Sequence, residues 1–259
     1  MLSKLLKYDF KSLFKILIPT YGIVLLLSLF TRLSNTFVSK LSILSIPNGF
    51  ISALYVIVLI GLPIITSLFV ILKFYNNLVK DEGYLMHTLP VKENNIVLSK
   101  TISGYCVIVL STIISVILLI VGVYGLWFKS DVFDAFKILF TQVNKLYFWL
   151  IIVSMLLSIL FQQLMFYASI ALGQKHNSNK GIFSIIYLVI LYIINQVAGL
   201  LILIPMFISP TARKYLNSDT PPMHILNNYL ICGIIISIIF IIAYYFLTVK
   251  VLDKKLNLE

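Results

Sequence analysis

The residue types that carry chemistry are few in this sequence and stand far apart. Its three histidines, His87, His176 and His224, lie in different connectors between apolar runs. A metal site needs several ligands at close spacing, and nucleophilic catalysis needs a hydroxyl or thiol beside a base. The sequence shows neither pattern, and it has no G-x-x-x-x-G-K-[ST] phosphate loop. We therefore expect this chain to be no enzyme and to bind no metal, ATP or other cofactor itself.

Four amide side chains stand inside apolar runs. They form two adjacent pairs, Gln162 with Gln163 and Asn195 with Gln196. Amides at such positions either hydrogen-bond between helices or line a path for a polar or peptide-like substrate, and the sequence leaves both interpretations open. Cys106 and Cys232 also lie in apolar runs, where we expect small buried thiols and not a disulfide.

Composition identifies the class of protein that positions these groups. Hydrophobic residues make up 60% of the 259 residues and charged residues only 11%, whereas a soluble domain carries about 25% charged residues. An integral membrane protein fits this balance. The net charge of +11 comes from Lys and Arg dispersed at the ends of apolar runs. The positive-inside rule explains that distribution, so we expect a lipid bilayer and not a nucleic acid as the surrounding partner.

Uncharged runs predict an all-α membrane protein, a single transmembrane domain over residues 1–259 with six spanning helices. Pro19 is placed in the opening turns of the first span, where a missing N–H is tolerated. Of the 20 Lys and Arg residues, 13 fall on the side of the amino terminus and 7 on the other, which predicts that both termini are cytoplasmic. The predicted spans are 16–37, 50–72, 101–128, 146–173, 181–208 and 228–249.

Residues 1–15 predict an amphipathic elbow helix on the membrane surface. At about 100° per residue its lysines share one narrow arc, and leucines occupy the opposite side. Such a helix lies in the headgroup layer with its basic face towards anionic lipid. The surface lysines are Lys4, Lys7, Lys11 and Lys15.

Residues 73–100 form the largest polar interval, and the topology places it in the cytoplasm. If the second span continues as a helix to Gly83, Asp81 and Glu82 stand at the negative end of its dipole, which disfavours them by a few tenths to about 1 kcal/mol each. Apolar residues follow directly. Two solvated acids on a loop are one explanation, and a docking surface for a basic protein partner is the other. The candidate docking residues are Asp81, Glu82, Gly83, Tyr84, Leu85, Met86, Leu89, Pro90 and Val91.

The same interval resembles a known family. Residues 74–91 read F-Y-x-N-L-x-x-D-E-G-Y-L-x-x-T-L-P-V and residues 96–100 read I-V-L-S-K. This string is similar to the first cytoplasmic loop of bacterial ATP-binding-cassette (ABC) transporter permeases of the type-2 exporter class. The segment K-L-L-K-Y-D-F-K, residues 4–11, resembles their elbow helix. The sequence departs from many relatives at Lys92, where those proteins have a Ser or Thr that caps the next helix.

The resemblance implies a multi-pass permease subunit of the bacterial cell membrane that exports an amphipathic peptide, antibiotic or lipid-like substrate. Residues 73–100 would form a coupling loop that docks onto a separate ABC ATPase subunit, which would bind ATP and Mg. A second permease, identical or homologous, would complete the transporter. Two alternatives stay open: a stand-alone secondary transporter or channel, and a non-transporting membrane sensor or scaffold that docks an ATPase.

Overall fold

A computed structural model describes residues 2–38, 45–79, 92–124, 145–176, 179–208 and 223–254. Within these ranges the regular structure is entirely α-helical, and each of the six helices is long and apolar enough to cross a membrane. The six-span, all-α prediction is thereby confirmed, and the chain is a multi-pass membrane protein. The helices are α1 (Leu2–Val38), α2 (Ser45–Val79), α3 (Glu93–Tyr124), α4 (Lys145–Gly173), α5 (Lys180–Ile208) and α6 (Met223–Lys254).

Helix α1 differs from the sequence prediction at its proline. It runs unbroken from Leu2 to Val38, so Pro19 lies in the helix interior and not in an opening turn. The proline removes one backbone hydrogen bond there. The lysines of residues 4–15 are exposed and Leu13 is buried, as an amphipathic segment requires. Because α1 shows no break after Lys15, a separate elbow helix stays a prediction.

The chain divides into two compact units. The first comprises Met1–Leu72 and Ile102–Ile138. Its apolar core draws on α1, α2 and α3, and a chain of hydroxyl groups runs beside that core. The core residues are Val24, Tyr55, Leu59, Leu62 and Leu118.

The second unit comprises Lys73–Thr101 and Leu139–Glu259. Helix α4 packs against both α5 and α6 in this unit, and α5 also contacts α6. The part of α4 from Gln163 to Gly173 is almost continuously buried. Both flanks of the predicted coupling loop belong to this unit, because the end of α2 and the start of α3 lie within residues 73–101.

Candidate functional site

The predicted docking residues, 81–91, lie outside the described residues. Their flanks are described. Helix α2 continues past Lys73 to Val79, as predicted for the second span, and α3 begins at Glu93. The amide of Asn95 donates to the carbonyl of Lys92 at 2.9 Å, so Lys92 occupies the cap position that its side chain does not favour.

Both flanks of the loop are buried at the residues where the string that resembles the permease loop begins and ends. Phe74 in α2 is 1% exposed and stacks on Tyr167 of α4, with ring centroids 3.7 Å apart and planes 6° apart. On the other flank, Ile96 and Val97 are fully buried and Lys100 is 5% exposed. The first residue of the F-Y-x-N-L string and the I-V-L-S-K string therefore serve packing within the second unit.

An amide–phenol pair on α4 holds the start of α3. Gln163 is 2% exposed, and its Nε2 lies 3.2 Å from the carbonyl of Thr101 and 3.4 Å from that of Lys100. The same nitrogen donates to the Tyr167 hydroxyl at 3.0 Å, and that hydroxyl donates to the Lys100 carbonyl at 3.3 Å. We call these five residues, Phe74, Lys100, Thr101, Gln163 and Tyr167, the flank cluster. It attaches both ends of the loop to α4.

Further contacts attach the flanks to the other helices of the unit. The Tyr245 hydroxyl of α6 donates to the side-chain oxygen of Asn94 in the first turn of α3. The Tyr75 hydroxyl of α2 comes so close to Gly181 of α5 that a Cβ added at the glycine would lie 3.1 Å away. The loop flanks thus contact α4, α5 and α6.

A second polar group lies within the same unit. The Tyr244 hydroxyl of α6 donates to Asn195 Oδ1 of α5 at 2.6 Å, and Asn195 Nδ2 donates to the Met165 sulfur of α4 at 3.0 Å. This amide links three helices. Asn195 and Gln163 therefore make the interhelical contacts that were one of the two predicted roles. Gln162 and Gln196 are exposed at the helix surface and join neither group.

Beside Asn195 the three helices form a pocket of about 190 Å³ that is open on one side. Its walls are aromatic and small residues, with one amide and one hydroxyl among them. Phe161 and Phe240 meet edge to face there, with centroids 6.1 Å apart and planes at 81°. The lining residues are Phe161, Asn195, Ala198, Gly199, Gly233, Ile236, Ser237 and Phe240.

The remaining chemistry-bearing residues form no metal site within the described ranges. His176 stacks on Phe183 with centroids 3.6 Å apart, and its Nε2 lies 3.2 Å from the Tyr187 hydroxyl. The prediction that both thiols are buried was wrong, whereas the expectation that they form no disulfide agrees with the structure. Cys106 and Cys232 are both exposed and unpaired. Their exposure could not be predicted, because a helix that is apolar on all faces gives no signal for the side that packs inward.

Sequence reasoning missed the hydroxyl chain of the first unit. Tyr21 of α1 lies 2.5 Å from Ser111 Oγ of α3, which donates to Thr66 Oγ1 of α2 at 2.9 Å. Thr66 donates in turn to the Leu62 carbonyl at 2.8 Å. Hydroxyls that cross-link helices are common in membrane proteins, but a single Ser or Thr in an apolar run does not indicate which residue its hydroxyl will bond. Tyrosines inside spans were the available signal for Tyr21, Tyr167 and Tyr244.

Comparisons of this chain with protein-family models, with curated proteins and with solved structures find no match.

Proposed function

We propose that this chain is the membrane subunit of an ATP-driven exporter of the ABC type-2 class, in the bacterial cell membrane, with both termini in the cytoplasm. The observation that supports the proposal is the flank cluster. Buried anchors at both ends of a loop would transmit a push on that loop to the helix that holds them. Phe74 and Gln163 provide such anchors on the two sides of residues 81–91.

The mechanism follows from the anchors. A partner ATPase binds ATP and Mg, and its closure pushes on Asp81 to Val91. The end of α2 and the start of α3 move with the loop, and the flank cluster passes the displacement to α4. Because Tyr245 and Gly181 bring α6 and α5 into contact with the same flanks, the whole second unit responds.

Charge reversal in the loop tests the docking step. We expect Asp81→Lys with Glu82→Lys to weaken association with the ATPase, because the acids would face a basic groove, while membrane insertion stays intact. Asp253→Lys is the matched control, since this acid is exposed on α6 at the predicted cytoplasmic end. Association is measured by pull-down from membranes. Unchanged association of the double variant would remove the two acids from the interface.

Reconstitution in proteoliposomes separates the exporter from its two rivals. An exporter moves substrate only while the partner hydrolyses ATP. Transport that persists without ATP hydrolysis would identify a stand-alone secondary transporter or channel. ATP hydrolysis with no substrate movement, tested across candidate peptides and lipids, would identify a sensor or scaffold.

A further inference from the structure

We propose that the pocket beside Asn195 binds one aromatic side chain, together with an adjacent backbone amide, of a peptide that has partitioned into the membrane. The inference rests on the proposed function, because it names the substrate class that the exporter would carry. Of the substrates that the sequence left open, it selects the amphipathic peptide. Three properties of the pocket support it: its position along α5, its hydrogen-bonding capacity and its size.

Asn195 lies near the middle of the apolar helix α5. It follows Lys180 by 15 residues and precedes Ile208 by 13 residues, and at 1.5 Å per residue this places it about 22 Å from the first residue of the helix and about 20 Å from the last. The hydrocarbon core of a bilayer offers no water, so an amide on a helix that spans it needs protein or ligand partners. The site is therefore a poor place for an amide whose bonds are incomplete.

Half of the Asn195 amide is unused within the part of the chain that the structure describes. An amide offers two N–H donors and an oxygen with two lone pairs. Tyr244 occupies one lone pair, and the Met165 sulfur, a weak acceptor, takes one N–H. One donor and one acceptor remain. A peptide group presents the complementary acceptor and donor, whereas the middle of an acyl chain presents neither.

The volume suits one side chain. An engineered apolar cavity of about 150 Å³ in another protein binds benzene, and this pocket measures about 190 Å³. Phe161, Phe240 and Tyr244 lie with ring centroids 5.6 to 6.1 Å apart, the spacing of favourable aromatic pairs. A further ring can join them edge to face. Gly199 and Gly233 leave the other wall open, because a Cβ at either position would meet nothing within 4 Å.

The test uses two fluorinated probes and the purified full chain in lipid nanodiscs, followed by fluorine NMR. The first probe, N-acetyl-4-fluorophenylalanine N-methylamide, carries a ring and two amides. The second, 1-ethyl-4-fluorobenzene, carries the ring alone. We expect the peptide probe to bind more tightly than the hydrocarbon, beyond the partitioning of each into empty nanodiscs. Asn195→Leu should reduce that preference by roughly three- to twentyfold, the range for one interhelical-type hydrogen bond in a membrane.

Gly199→Leu should abolish binding of both probes, since it fills the pocket without meeting the backbone. Gly22→Leu is the matched control: its Cβ also meets nothing within 4 Å, and it lies in the first unit. If Asn195→Leu fails to fold, the two probes and Gly199→Leu still decide the question.

Three results would overturn the inference. Equal binding of the peptide probe to wild type and Gly199→Leu would show that the pocket is not the site. If the hydrocarbon probe bound as tightly as the peptide probe, the pocket would not recognise an amide, which would indicate an acyl-chain site. A loss of dimer in Gly199→Leu without probe binding to wild type would show that a second copy fills the pocket. Each readout uses the chain without an ATPase, so failure here leaves the docking test of the exporter independent.

Discussion

Replacing the stacked rings of the flank cluster tests how the coupling loop is attached. Phe74 and Tyr167 are each 1% exposed, and their rings lie in parallel contact at 3.7 Å. Phe74→Leu and Tyr167→Leu each remove one ring, and a double-mutant cycle isolates the interaction between them. Aromatic pairs contribute about 0.5–1.5 kcal/mol beyond their buried area. We expect a coupling energy in that range in the free energy of unfolding.

The hydroxyl of Tyr167 has a separate, smaller contribution. Tyr167→Phe keeps the stacked ring and removes the bonds to Gln163 and to the Lys100 carbonyl. Of these two bonds only the one to Lys100 joins two helices, and interhelical hydrogen bonds in membrane proteins average about 0.6 kcal/mol, so the expected loss is about 0.6 kcal/mol. In the Tyr167→Phe background, Phe74→Leu should still lower the free energy of unfolding by the stacking contribution, because the aromatic ring at position 167 remains.

Unfolding in mixed micelles with increasing SDS measures these free energies. The functional readout is substrate transported per ATP hydrolysed, which should fall in Phe74→Leu with Tyr167→Leu while the ATPase stays bound. Phe246→Leu is the control, since this ring is 65% exposed on α6. Losses from the two leucine substitutions that add to within about 0.3–0.5 kcal/mol would show no coupling and refute the reasoning.

Two further predictions concern single positions. Gly173→Ala should destabilise the second unit by about 1–3 kcal/mol or more, because the added Cβ would lie 2.7 Å from the backbone nitrogen of Ser184. Gly199→Ala is the control and should be near neutral, because there is open space around that glycine. Equal melting temperatures for the two variants would contradict this prediction. Tyr21→Phe should cost the first unit about 0.6 kcal/mol, through loss of its bond to Ser111, as measured by SDS unfolding; a loss above about 2 kcal/mol would indicate a larger network.

The six helices could be predicted because spans are defined by what they lack. Charges are absent over 20 or more residues in five of the predicted spans, and the first contains only Arg32, so recognising them needs no knowledge of contacts. The direction in which each residue faces was not predictable. Gln162 is exposed and Gln163 is buried, although they are neighbours in a helix that is apolar all round. In lipid, hydropathy does not distinguish the lipid-facing side from the packed side.

The assignment of the loop flanks to the second unit was also beyond the sequence. Phe74 continues α2 and Lys100 belongs to α3, whereas their partners Gln163 and Tyr167 follow about 60 to 90 residues later in α4. Such contacts depend on how the helices pack, and no local sequence pattern indicates that packing. A local prediction did succeed at the end of α2: the helix continues past Lys73, as expected, and reaches Val79.

The most direct test of the exporter proposal is to purify the affinity-tagged chain from its native membrane in mild detergent and measure ATP hydrolysis. The proposal predicts that an ABC ATPase co-purifies in equal proportion and that the complex hydrolyses ATP. It also predicts that Asp81→Lys with Glu82→Lys removes both the ATPase and the activity. A chain that purifies without an ATPase, hydrolyses no ATP and still transports in proteoliposomes would contradict the account.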